Sequence, residues 1–191
     1  MAEPLKILGI AGSLRRGSYN RAALNAAGQL LPLGVVLETF DLEGIPVYNQ
    51  DNELSPPPKV QELKRRVRAA DAILFVTPEH NFSIPAALKN AIDWASRPPT
   101  DNAWAGKAAA IMGASMGKTA TARAQAHLRQ IFSYVDVYPL NKPAVMIGEA
   151  AQAFDVHGNL QDEKARDLIR QLLENLAAWT LRLRGAEKPS G

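Results

Sequence analysis

Gly12-Ser13-Leu14-Arg15-Arg16-Gly17-Ser18-Tyr19-Asn20 crowds hydroxyl, amide and guanidinium groups between an apolar run, residues 5–10, and a helix-forming segment that opens at Arg21-Ala22-Ala23-Leu24. That order suits an anion. The unsatisfied N–H groups and positive dipole end of a helix meet a phosphate there; Ser13, Ser18 and Asn20 can donate further hydrogen bonds, and Arg15 can add a charge-assisted one. The same residue types also serve an ordinary capped helix with an exposed arginine pair, so both readings stay open on this segment alone.

Two other stretches carry unusual chemistry. Pro78-Glu79-His80-Asn81-Phe82-Ser83-Ile84-Pro85 sets backbone amides, an aromatic ring and polar side chains between stiffening prolines. Gly113-Ala114-Ser115-Met116-Gly117-Lys118-Thr119 has glycines that permit close backbone approach to a flat ligand. Neither this loop nor the first matches a standard nucleotide motif. Gly9, Ala11 and Gly12 miss the G-x-G-x-x-G spacing, and Gly113 to Gly117 is one residue short of a Walker A loop, with Met112 where its first glycine belongs.

Composition removes whole classes. With no cysteine, disulfides, thiolate catalysis and thiol-bound metal clusters are excluded. His80, His127 and His157 lie far apart, with no ligand partner at helical spacing, so no metal site is expected. A net charge of +3 is too small for a nucleic-acid face. The basic run Lys64-Arg65-Arg66-Val67-Arg68 reads as the solvated side of an amphipathic helix. No apolar stretch nears the roughly twenty residues of a membrane span, and Arg15, Arg16, Tyr19 and Asn20 stand where a signal peptide would be cleaved. A cytoplasmic location is expected.

The elements that must position these loops alternate in type. Apolar, β-branched-rich runs at 5–10, 35–40, 72–77, 108–112 and 144–147 predict strands, and 3.6-period segments at 21–30, 58–69, 84–95, 119–133 and 162–184 predict helices. Such alternation implies an α/β fold, a doubly wound five-stranded parallel sheet with helices on both faces. Any ligand then sits outside the carboxyl ends of the strands, where the loops after strands one, three and four converge. Residues 1–184 form a single domain by this reading, with a disordered tail at 185–191. Trp94 and Trp179, at helical spacing among apolar neighbours, read as core or subunit interface.

Three segments together resemble a known family, the NAD(P)H-dependent FMN and quinone reductases of flavodoxin-like fold, which include the bacterial chromate reductases. They are Gly12-Ser13-Leu14-Arg15 with Ser18 and Asn20; Thr77 to Pro85 continuing into Leu88-Lys89-Asn90-Ala91-Ile92-Asp93-Trp94; and Ser115-Met116-Gly117 with Ala122-Arg123-Ala124-Gln125 and His127-Leu128-Arg129-Gln130. The resemblance runs from about residue 5 to about residue 184. It implies sheet order 2-1-3-4-5 and non-covalent FMN. Ser13, Arg15, Ser18 and Asn20 would hold its phosphate, while Pro78, Glu79, His80, Asn81, Phe82 and Ser83 and then Ser115, Met116 and Gly117 would flank its ring.

By the same resemblance, NADPH or NADH delivers hydride to the flavin, which then reduces a second substrate in a ping-pong cycle. The acceptors would be quinones, azo dyes, nitroaromatics, chromate or free flavin. The chemistry belongs to the cofactor, so no side chain is assigned as a catalytic acid or base. A homodimer or homotetramer with sites completed across the interface is implied, and Trp104 is a candidate for closing the substrate pocket. Lys89 and Asn90 read as surface or loop-bracing groups and Asp93 as a helix-packing hydrogen bonder. The chain departs from the family where His80 and Phe82 replace tyrosines, and where Thr121 and its neighbours replace a glycine pair. An FMN-binding electron carrier or regulatory protein without NAD(P)H turnover is the alternative in another class.

Overall fold

The computed structural model describes residues 3–186. Its chain runs β1 (Leu5–Ala11), α1 (Tyr19–Gln29), β2 (Val35–Phe40), α2 (Pro58–Ala69), β3 (Ala72–Val76), α3 (Ala86–Ala95), β4 (Ala108–Ala114), α4 (Ala122–Val135), β5 (Tyr138–Pro139), β6 (Val145–Ile147), α5 (Ala150–Ala153) and α6 (Glu163–Ala186). The strands form one parallel sheet in the order β2-β1-β3-β4-β5, with β6 also paired to β4. This is the doubly wound, flavodoxin-like arrangement that the alternating pattern and the resemblance imply.

One strand departs from expectation. The fifth is split: Tyr138–Pro139 pairs with Ala108–Ala109, and Val145–Ile147 pairs with Met112–Ala114. Pro139 and Pro143 cannot donate to a ladder, and only Leu140, whose N–H reaches Ala109 O at 2.7 Å, extends the first piece.

Alternation along the central strands divides the core. Ile7, Leu74, Val76 and Ala110 pack with α1 and α6 on one face, while Leu8, Ile10, Ile73, Phe75 and Ile111 pack with α2, α3 and α4 on the other. Trp104 belongs to the second cluster. It is 1% exposed, lies 5.7 Å from Phe75 by ring centroids, and donates from its indole to Ile92 O. Its expected place in a substrate pocket is therefore corrected: within this chain it fills the core. Trp94 is core as expected, and Trp179, on α6, is partly buried against the first cluster.

Other expectations shift for local reasons. Lys64, in the basic run expected to be solvated, is 4% exposed; its ammonium donates to Arg97 O and pairs with Asp101. Asp93 packs no helix but pairs with Lys89 one turn earlier at 2.8 Å, whereas Asn90 does brace a loop through Tyr48 N and Pro46 O. Helix α6 runs to Ala186, two residues into the expected tail, and the rest of that tail lies outside the described residues. Among the described residues, no helix is long and apolar enough to cross a membrane and no cluster could hold a metal ion.

Candidate functional site

Register brings the unusual loops to one edge. Ala11 pairs with Val76 and Val76 with Met112, while Gly12 N donates to Val76 O and Thr77 N to Met112 O at 2.9 Å each. The chain reverses its winding between β2 on one side of β1 and β3 on the other, so the loops after β1, β3 and β4 meet at the switch point. Gly113 permits the closeness of the last two. A Cβ there would lie 2.2 Å from Thr77 O and 2.6 Å from Thr121 Oγ1.

The loop after β1 is built to receive an anion. Among the described residues none offers an acceptor to the backbone N–H of Ser13, Leu14, Arg15, Arg16 or Gly17. Buried Ser18 caps α1 by accepting from Asn20 N at 3.2 Å, which leaves its hydroxyl proton free to donate. Arg15 lies 5.7 Å over the Tyr19 ring and pairs with no carboxylate among the described residues. Arg21, held by Asp41, donates to Ser13 O and fixes the loop from behind. Successive unmatched N–H groups, a helix N-terminus and an unpaired guanidinium together form an anion cradle.

The Asn20 carboxamide is engaged within the chain. Its Nδ2 donates to Ala114 O and its Oδ1 accepts from Ala114 N, each at 2.9 Å, and the residue is 3% exposed. The side chain ties α1 to the end of β4 and so joins the first loop to the third.

The loop after β3 is a small hairpin. His80 and Ser83 exchange backbone hydrogen bonds at 2.9 Å across a two-residue turn, with Asn81 at φ 48° and Phe82 at φ 66°. Asn tolerates that region; phenylalanine there costs about 1–2 kcal/mol. The ring is nonetheless 64% exposed, with the Arg123 guanidinium 3.7 Å from its centroid. A cation over an aromatic face returns about 0.5–1 kcal/mol at such a site. The N–H groups of Glu79, Asn81 and Phe82 have no acceptor among the described residues.

The Glu79 carboxylate caps α4. Oε2 accepts from Arg123 N at 3.0 Å and Ala124 N at 3.1 Å, and Oε1 accepts from Arg123 Nε at 2.6 Å. Thr121, at the head of α4, makes no side-chain cap, so a residue from another loop supplies it. Burial pushes the Glu79 carboxyl upward, but the Arg123 side chain and the N–H groups of Ala124 and Arg123 outweigh that and leave it below the ordinary carboxylate value. His127, one turn further along α4, places Nδ1 3.0 Å from Ser83 Oγ.

In the loop after β4, Ser115 N and O bond Ile147 O and Ala150 N, Met116 is 63% exposed, and a Cβ on Gly117 would meet nothing within 4 Å. Ser13, Arg15 and Ser18 thus share one loop, Pro78 to Ser83 a second and Ser115 to Gly117 a third, all on one sheet edge. Arg123 and Gly113 joined no expected site set, since their partners lie on other loops.

The comparisons with known proteins agree with this geometry. The family model described as NADPH-dependent FMN reductase matches residues 5–152. An NAD(P)H-dependent FMN reductase of Pseudomonas aeruginosa is 56% identical over 97% of this chain and 100% of its own length. An NAD(P)H:quinone oxidoreductase of Solanum tuberosum is 43% identical over 96% of this chain and 97% of its own. Among solved structures, the flavoenzyme NAD(P)H:(acceptor) oxidoreductase FerB from Paracoccus denitrificans superposes with a TM-score of 0.84 at 34% identity, covering 93% of this chain and 98% of that one. With the matched model spanning the sheet edge and all three loops, and with relatives this similar along nearly their whole lengths, the chain belongs to the NADPH-dependent FMN reductase family.

Proposed function

We propose that this chain is an FMN-dependent NAD(P)H oxidoreductase that passes electrons to quinones and similar small, flat acceptors in a ping-pong cycle. The observation that carries the reading is the anion cradle on the same sheet edge as an exposed aromatic loop. The residues present fit FMN. The unmatched N–H groups of Ser13 to Gly17, the Ser18 hydroxyl and Arg15 suit a phosphate monoester, and the open space at Gly117 faces no side chain a flat ring would have to displace. Asn20 acts behind this set, by holding the cradle to β4.

When bound, FMN supplies the acceptance and release of hydride. The chain's own work is binding and orientation. Backbone N–H groups of Glu79, Asn81 and Phe82 would be donors for the ring's polar edge, Phe82 would be an apolar wall, and Ser115 to Gly117 would form the opposite rim. His80 would fill a tyrosine's place without an essential proton-transfer role. Quinone acceptance is supported by the Solanum relative, an NAD(P)H:quinone oxidoreductase; azo dyes, nitroaromatics, chromate and free flavin would be further acceptors of one open ring face.

A homodimer or homotetramer is part of the proposal. It is supported by an open, largely apolar hollow of about 500 Å³ beside the flavin loop, lined by His80, Asn81, Ser83, Ile84, Ala86, Lys89 and Ile131. Cytoplasmic residence is likewise proposed, on the cysteine-free composition. The visible spectrum of purified protein tests the core reading. A flavin spectrum bleached by NADPH or NADH and restored by benzoquinone is expected; a stable flavin spectrum that neither nucleotide bleaches would make the chain a carrier.

A further inference from the structure

Helix α4 presents Arg123 and His127 one turn apart, and both reach back to the hairpin after β3. The Arg123 guanidinium lies 3.7 Å from the Phe82 centroid while its Nε donates to Glu79, and His127 Nδ1 meets Ser83 Oγ at 3.0 Å. Between those two fastenings sit Asn81 and Phe82, both at positive φ and neither a glycine. A phenylalanine left to itself leaves that region, and its ring, 64% exposed, has little core contact to hold it there. Strain of this kind persists only where the surroundings over-determine it.

From this geometry we infer that Arg123 is a positioning residue: anchored by Glu79, it stacks on Phe82 and presets the aromatic wall of the site before any ligand arrives. The inference rests on the proposed placing of the ring beside this loop. Glu79 is suited to the anchoring task, because its carboxylate is 6% exposed and already fixed by the N–H groups of Arg123 and Ala124. Its pairing with Arg123 Nε and Nη2 holds the guanidinium beside Phe82, while Nη2 also reaches Thr119 Oγ1 at 3.2 Å. A planar fork can stack and pair at once; a lysine ammonium at the same position cannot. The functional result is an acceptor surface with less order to gain on binding, an effect that belongs to the Michaelis constant and not to turnover.

The test compares parent, Arg123→Ala, Arg123→Lys and Phe82→Tyr. In flavin-free protein, amide hydrogen exchange at His80 and Ser83 is read against amides of the buried α6 segment. Both Arg123 variants should exchange about two- to fivefold faster at His80 and Ser83 with α6 unchanged, the scale of a lost stacking contact. Phe82→Tyr, which keeps the ring, should stay protected. In flavin-loaded protein with benzoquinone, both Arg123 variants should raise the Michaelis constant about five- to tenfold and hold kcat within about threefold. Unchanged exchange in Arg123→Ala and Arg123→Lys overturns the inference, as does a fall in kcat at constant Michaelis constant. If Arg123→Ala fails to fold, Arg123→Lys decides alone. A parent that binds no FMN would sink the proposed function instead, and the exchange data would still decide whether the clasp exists.

Discussion

Replacing Asn20 with alanine separates a structural clamp from a phosphate ligand. The carboxamide makes two hydrogen bonds to the backbone of Ala114, a residue 1% exposed, and both partners would be left unmatched. Each bond contributes about 1 kcal/mol and each buried orphan costs about 1–3 kcal/mol, partly relieved by an entering water; a net loss of about 2–4 kcal/mol follows. With a urea slope of about 2 kcal/mol per molar, the midpoint of the flavin-free protein should fall by roughly 1–2 M. Asn20→Asp should cost at least as much, since it keeps the acceptor toward Ala114 N but sets a carboxylate oxygen against Ala114 O. The assay is urea unfolding of flavin-free protein beside FMN titration of the folded variant. An unchanged midpoint with an FMN dissociation constant raised tenfold would refute the clamp and return Asn20 to the phosphate.

Three other outcomes are expected. Arg15→Ala should weaken FMN binding about ten- to a hundredfold in a protein of unchanged stability, because a charge-assisted bond contributes about 1.5–3 kcal/mol; an unaltered fluorescence titration would remove Arg15 from the cradle. Glu79 has a folded pKa below its ordinary value of 4.5, so its stabilisation is fully present above that pH and is lost as pH falls through the folded value. Glu79→Gln should therefore destabilise by about 1–3 kcal/mol at neutral pH, with the gap to the parent closing under acid, and a gap that widens below pH 4.5 in urea melts would contradict the assignment. His80→Ala should lower turnover less than about tenfold, against the hundred- to ten-thousandfold loss of a general acid–base group; a thousandfold loss accompanied by disappearance of a pH inflection would give His80 a proton to carry.

What the sequence made legible follows from what is local. The first four strands are apolar runs, broken only by Lys6 in β1 and by Glu38 and Thr39 in β2, and their edges fall within two residues of expectation. The fifth could not be placed as one piece or two without knowing how Pro139 and Pro143 meet the β4 ladder. Chemistry followed the same division. Ser18 caps the next turn and reads directly from its neighbours, whereas Asn20 takes its meaning from Ala114, far along the chain. The capping role of the Glu79 carboxylate was not legible, because its partners, the first amides of α4, come 44 and 45 positions later. Trp104 sits in a loop outside any strand or helix, so only the tertiary packing against Phe75 reveals a core residue. Lys64 was similarly hidden, its burial being set by the loop that carries Asp101.

Helix α6 carries one more consequence. It begins eleven residues after the matched family segment ends at 152, yet Ile169, Leu172, Leu173 and Leu176 cover the face of the sheet made by Ile7, Leu74 and Ala110. The stretch matched by the family model is therefore not a folding unit by itself. A fragment stopped at residue 152 would leave that apolar surface to water and would collapse or aggregate, although it contains every residue of the cradle and of the aromatic loop. Excision, fusion or permutation of this protein must keep the last helix, which shields that face of the sheet beneath the site.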